Sequence, residues 1–200
     1  MLIGASGHAK IVVEAIQARD FDCQIILTDQ DESKFQKVLL GYISINKLDD
    51  WDQLPEHCHI SIGDNAIRKQ LSDVAQRAGK LAYTVIHPEA SVSPTATIGA
   101  GSFIAAKAII GPEAIVGEGC IINHGAIVDH DCRVGAFSHI APNATLGGAV
   151  EIGISCLIGA GSVVLPLMTI GCNATVGAGA VVNQNIVDEQ TVVGIPARQV

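Results

Sequence analysis

The sequence predicts an α/β, Rossmann-like domain over residues 1–84, followed by a parallel β-helix built from hexapeptide repeats over residues 85–200. Two observations carry this. An aliphatic residue stands at every sixth position from Ile86 to Val182, seventeen in one unbroken register, with a small residue usual two places earlier and a glycine recurring one place later. Ahead of that register, the first 84 residues show short apolar runs alternating with helical spacing. A period of six fits neither the 3.6 of a helix nor a heptad, and it matches the hexapeptide signature of a solenoid. Residues two apart on a strand point the same way, so each unit is a short strand with a large and a small inward residue, then a corner eased by glycine. If three units close one triangular coil, residues 18 apart stack. Val150 and Met168 depart from the small-residue rule.

In the first domain, Leu2-Ile3 reads as a strand running into Gly4-Ala5-Ser6-Gly7-His8, after which Ile11, Val12, Ala15 and Ile16 have helical spacing. Gln24–Asp29 is a second strand and His59–Ile62 a third, ending in Gly63-Asp64-Asn65. Ala66, Ile67, Leu71, Val74 and Ala75 mark an amphipathic helix, capped by Asp64 or Asn65 and stopped at Gly79. Leu81–Ile86 is read as one strand entering the solenoid. This is the βαβ pattern of a parallel sheet, whose ligands sit beyond the C-terminal strand ends. The candidate binding residues are therefore Gly4, Ser6, Gly7, His8, Asp29, Gly63, Asp64 and Asn65. Gly4–Gly7 is not the full dinucleotide fingerprint, and a tight strand-to-helix turn explains it equally well.

Only 4% of residues are aromatic, which suits a narrow aliphatic prism. The net charge of −8 divides into −3 for residues 1–80 and −5 beyond, where Lys107, Arg133 and Arg198 are the only basic residues. That balance argues against nucleic acid as a partner. Cys120, Cys132 and Cys156 occupy the small inward slot and read as buried thiols of a reducing compartment. Met1–Gly4 lacks the basic flank and apolar stretch of a signal peptide or membrane span, so the cytoplasm is expected.

Three of the seven histidines, His124, His130 and His139, lie in the solenoid. His130 follows the inward Val128 by two, at a corner where its ring projects outward between Asp129 and Asp131. A carboxylate there can orient the imidazole and raise its basicity, which suits a general base. Gly148 stands one coil on, where a bare amide can donate to an oxyanion, and Pro166 continues the column. A solvated turn histidine is the plainer reading.

With Gly4–Lys10, Ile62-Gly63-Asp64-Asn65 and Arg68, His87-Pro88, Asn123, His130-Asp131-Cys132, His139–Pro142 and Gly194–Arg198, the chain resembles the bacterial sialic-acid O-acetyltransferase and UDP-4-amino-sugar N-acetyltransferase family. The resemblance spans both domains. It implies a left-handed β-helix, a homotrimer with acetyl-CoA in the groove between solenoids, no metal, and a nucleotide-linked sugar on the N-terminal domain. It further implies His130 as base, Asp131 as its acidic partner, Gly148 as thioester-oxygen donor and His139 beside acetyl-CoA. Ala160 and Ala178, 18 apart, are candidates to line the pantetheine path, with core packing as the alternative. The expected reaction is acetylation of the C4 amine of a UDP-4-amino-4,6-dideoxy sugar. A GDP- or dTDP-linked acceptor and O-acetylation of sialic acid are the alternatives.

Other readings have less support. A trimeric carbonic anhydrase of the same prism would need histidines converging on one metal, but steps of 6 and 9 residues disperse 124, 130 and 139. A scaffold with a nucleotide-sugar sensor is compatible with the fold and leaves the His-Asp pair unexplained. His57 and His59 read as structural or solvated, His87-Pro88 as a rigid junction, and Trp51 as the anchor of a short acidic helix.

Overall fold

The structure is a computed structural model describing residues 1–19, 25–29, 31–34, 36, 38–45 and 55–200. Gln24, Trp51 and the short acidic helix expected around Trp51 lie outside the described residues. In the N-terminal region β1 (Leu2–Ile3) pairs in parallel with β2 (Leu27–Thr28) on one side and β5 (His57–Ile60) on the other. β3 (Val38–Leu39) and β4 (Tyr42–Ile45) form an antiparallel hairpin on the β2 edge, and β6 (Leu81–Ala82) closes the opposite edge. The hairpin was not expected. The third strand starts two residues earlier than its sequence suggested. The expected single strand 81–86 is two: Leu81–Ala82 belongs to this sheet, whereas Val85–Ile86 pairs with Phe103–Ile104 as the first rung of the solenoid.

α1 (Gly7–Gln17) buries Ala9, Val12, Val13, Ala15 and Ile16. Leu2 and Leu27 of the sheet and Val85, Phe103, Ala105 and Ile121 of the solenoid belong to the same apolar cluster, so this helix is the layer between the two regions. α2 (Asn65–Arg77) packs Leu71 and Ala75 with Ile3, Cys58 and Ile60 in a separate cluster. Asp64 caps it, its Oδ1 accepting from Ile67 N at 2.9 Å, and Gly79 follows with φ +71°.

The solenoid has three parallel walls whose strands pair 18 residues apart, for instance Phe103 with Ile121, Ile109 with Ile127 and Ile115 with Arg133. We call these the first, second and third walls in chain order. Within the prism the aliphatic register from Ile104 to Val182 is buried. Ile86, Val92 and Ile98, in the coil at the open base, are only partly so. Every sixth residue from Gly101 to Gly179 takes a left-handed φ between 56° and 71°, and this bend sets each corner. Cys120, Cys132 and Cys156 are fully buried and their S–H groups meet the Gly135, Gly147 and Gly171 carbonyls. Burial raises all three thiols, Cys120 to about 11, so they are poor nucleophiles. Among the described residues, no helix is long and apolar enough to cross a membrane.

Arg68 joins α2 to the solenoid. It is 1% exposed, and its guanidinium donates to Gly119 O (2.7 Å), Phe137 O (2.8 Å), Ile62 O and Gly63 O (both 3.1 Å) and Asn65 Oδ1 (2.7 Å). Asn65 Nδ2 extends the clamp by donating to Ser155 O and Cys156 O. Positions 119, 137 and 155 are 18 apart, one above another on the corner between the third and first walls. Removing the guanidinium leaves five acceptors without their donor. Arg68→Met is expected to lose about 3 kcal/mol or more in denaturant unfolding.

Candidate active site

His130 sits on the corner between the second and third walls, after the strand Ile127–Val128. Asp131 beside it has φ +60°, and this sharp bend lets neighbouring side chains converge as they cannot along a strand. His130 Nδ1 lies 2.7 Å from Asp131 Oδ2, while Asp129 Oδ1 accepts from the His130 backbone N–H. The carboxylate can only accept, so Nδ1 carries the hydrogen and Nε2 keeps its lone pair. The hydrogen bond to Asp131, then the charge of Asp129, raises the His130 pKa.

Gly148 stacks on that ring: a Cβ added to it would stand 2.5 Å from His130 Nε2 and Cε1. Its carbonyl accepts from Leu167 N, but among the described residues its N–H donates to no protein group. Pro112 and Pro166 occupy the same column and have no N–H to offer. An imidazole lone pair and an unused amide donor therefore share one outward groove. If this pair does acyl-transfer chemistry, the neutral ring is the active form. kcat/KM should then fall as pH drops through a value above the ordinary 6.5. Asp131→Asn should move that limb to lower pH and reduce kcat, as pH–rate profiles of the two proteins would show.

The remaining expected site residues lie elsewhere in the same chain. Gly4, Ser6 and Asp29 line a cleft of about 220 Å³ with Ile62, Ile67 and Lys34. Gly4 has φ +110° and approaches Ser61 and Ile62 too closely for a side chain. Ser6 precedes α1 without capping it, and Gly7 opens the helix with free space around it. Asp29 is already engaged: it accepts from Ala5 N (2.7 Å), Asp31 N (2.9 Å) and Lys34 Nζ (3.3 Å). Asp64 is occupied as the α2 cap and Asn65 as part of the Arg68 clamp, so these two side chains are not turned to that cleft.

His8, on α1, lies edge-on to Phe103 at a centroid distance of 5.4 Å, and its Nε2 is buried without a partner among the described residues. Burial, then the neighbouring His59, lowers its pKa to about 3. His59 is buried, as one of its two sequence readings had it, with Nδ1 on Tyr83 O. His139 is on the first wall, its Nε2 3.1 Å from Asn123 Nδ2, and burial followed by Arg68 lowers it to about 4. His124, Ala160 and Ala178 all lie on the corner between the first and second walls, the two alanines exposed there and not in the core. Histidines 124, 130 and 139 thus occupy two corners and a wall, and among the described residues no group of three or more His, Cys, Asp or Glu is placed to hold a metal. Lys34 carried no motif signal in the sequence. Asn123 and Arg68 were visible there only as motif residues without a role.

Comparison with known proteins bears on this arrangement. Residues 1–75 match the PglD N-terminal domain, and residues 113–148 match the bacterial transferase hexapeptide repeat. The chain superposes over its full length on a mutant perosamine N-acetyltransferase from Caulobacter crescentus in complex with CoA and GDP-perosamine. There the TM-score is 0.94 and identity 34%, over 95% of that chain. The acetyltransferase domain of PglB from Neisseria gonorrhoeae matches with TM-score 0.94 and 36% identity over 98% of its length, and its acetyl coenzyme A complex with 0.93 and 36% over 97%. The chain belongs to the hexapeptide-repeat sugar N-acetyltransferases. This makes it an acetyltransferase on a left-handed β-helix. WeeI from Acinetobacter baumannii, at 22% identity and TM-score 0.69, shares the fold. No curated protein sequence matches the acetyltransferase significantly.

Proposed function

We propose that this acetyltransferase moves the acetyl group of acetyl-CoA onto the C4 amine of a UDP-linked 4-amino-4,6-dideoxy sugar, with His130 as general base. The observation that carries the reading is the stack of His130 Nε2 on Gly148, beside an amide N–H without another partner among the described residues. The amine nitrogen attacks the thioester carbonyl and His130 Nε2 takes a proton from it. Asp131 stabilises the imidazolium, and the Gly148 N–H receives the oxyanion. As the C–S bond breaks, the imidazolium returns its proton to the departing CoA sulfur. No acyl-enzyme is needed, because an amine is itself a competent nucleophile, and the raised, buried Cys132 thiol is unsuited to the part.

In this reading residues 1–84 hold the nucleotide sugar, through Gly4, Ser6, Gly7 and His8, and residues 85–200 carry the transfer. His139, Ala160 and Ala178 border the acetyl-CoA path. A GDP-linked acceptor is the second reading, favoured by the Caulobacter enzyme's complex with GDP-perosamine.

One chain does not assemble this site. The N-terminal region covers the first wall, through α1, and the corner before it, through Arg68 and Asn65. His130 lies on the corner opposite that wall, with the packed prism between them. The acceptor held by one chain must therefore meet His130 of a neighbouring copy. The outward residues of the second wall, Ser91, Ile109, Ile127, Thr145, Val163 and Val181, are mostly apolar, whereas the third wall shows Thr97, Ile115, Arg133, Glu151 and Thr169. We therefore place the second wall against the three-fold axis of a homotrimer.

Thiol release from acetyl-CoA, with UDP-, GDP- and dTDP-4-amino sugars and free sialic acid offered side by side, tests the chemistry. Rapid release with the UDP sugar is expected, and none with any acceptor would end the proposal. Val163→Glu is expected to sediment as a monomer without transfer activity. An active monomer would remove the shared site.

A further inference from the structure

Asn123 is buried at the end of the first-wall strand Ile121–Ile122. Its Oδ1 faces His124 N at 2.9 Å and His124 Nδ1 at 3.0 Å. The backbone N–H can only donate, so this atom is the amide oxygen, and Nδ2 is the group that meets His139 Nε2 at 3.1 Å. His139 therefore accepts at Nε2. His124 in turn donates from Nδ1, which leaves its Nε2 a bare lone pair on an exposed ring. A run of contacts thus leads from the His139 ring, through the Asn123 amide, to one outward-facing acceptor.

His124 lies in the same coil as His130, one strand earlier, at the other edge of the second wall. Six residues of an 18-residue coil correspond to a third of its rise, under about 2 Å for strands roughly 4.8 Å apart. When three copies set their second walls around an axis, the His124 edge of one meets the His130 edge of the next at nearly equal height. His8, the residue following the nucleotide cleft at Gly4–Gly7, lies close enough to both His124 and His139 to feel their charge.

We propose that His124 is a specificity residue whose Nε2 accepts a hydrogen bond from a hydroxyl or amine N–H of the acceptor hexose, in an orientation set by Asn123 and His139. This rests on the shared-groove reading above. The sequence offered His124 only as a metal-ligand candidate; its part here comes from the amide that fixes its tautomer.

The test is calorimetric binding without acetyl-CoA, comparing a UDP-4-amino-4,6-dideoxy sugar with UDP alone, and GDP-perosamine with GDP if the acceptor panel selects guanosine. His124→Phe should weaken the sugar nucleotide about tenfold and leave the bare diphosphate within about twofold. His124→Gln, whose amide oxygen can accept in place of Nε2, should regain most of the loss. Asn123→Ala, which frees the ring, should reproduce the sugar-specific loss. In turnover, KM for the acceptor should rise while KM for acetyl-CoA holds. Equal weakening of sugar nucleotide and bare diphosphate, or no weakening of either, overturns the proposal. With no acetyl-CoA present, the outcome does not depend on His130 being the base, so the two readings fail separately.

Discussion

Replacing His130 by alanine is expected to lower kcat by about 10²–10⁴-fold, the usual worth of a positioned general base, with acetyl-CoA affinity nearly unchanged. The ring contributes little to the fold: it is exposed, and its side-chain partner is the equally exposed Asp131. The loss should therefore appear in turnover and not in thermal stability. It should also remove the pH dependence that the Asp131 hydrogen bond confers on the wild-type rate. A His130→Ala protein that turns over near the wild-type rate would end the base assignment.

Gly148→Ala is expected to cost about 10²–10³-fold in kcat, the range for loss of an oxyanion donor. The backbone there is not left-handed, so alanine meets no intrinsic conformational penalty. What it meets is the imidazole, at 2.5 Å from the new methyl carbon, and one of the two groups must move. Either the ring leaves its place over the amide or the methyl covers the N–H. The control is Gly161, whose Cβ position is open but whose φ of +65° is strained for alanine. Gly161→Ala should lose stability and keep kcat, the opposite pattern. Near-normal kcat for Gly148→Ala, with the fold intact, would show that this amide does not take part.

Much of the architecture was readable beforehand, for a reason visible in particular residues. The solenoid announces itself because each coil repeats one packing problem. Ile122, Ile140, Ile158 and Val176 stack 18 apart on one wall, and a slip of one residue would turn every one of them to solvent. The α2 boundaries were readable because Asp64 and Gly79 are local signals. The hairpin Val38–Ile45 was missed: its strands are short, and Val38 and Ile43 are exposed, so no amphipathic period marks it. The 81–86 segment was misjudged because Leu81 and Val85 are alike as β-formers, and only partner strands far along the chain separate them.

The site divides along the same line. His130 and Gly148 followed from counting along the repeat, since the 18-residue period converts position into height and corner, whereas the choice of Asp131 over Asp129 followed from the family resemblance. On the nucleotide side the expected residues include Asp29, Asp64 and Asn65, whose side chains are engaged within the protein, while Arg68, Asn123 and Lys34 carry no expected role. For Asn65, Arg68 and Asn123 the deciding contacts include ones to a carbonyl or ring nitrogen 16 to 91 residues away, and no local pattern encodes those.

By itself, then, the sequence determined the prism, its inward and outward faces and the meeting of imidazole and bare amide, because periodicity is a local property that stacking makes global. Only the tertiary structure decided that the N-terminal domain covers the wall opposite His130, and that the Asn123 amide joins His139 to His124 and leaves the second His124 nitrogen without a partner among the described residues. Docking of one domain on another is set by a few non-repeating contacts, here the apolar layer of α1 and the buried Arg68, and such contacts leave no period to read.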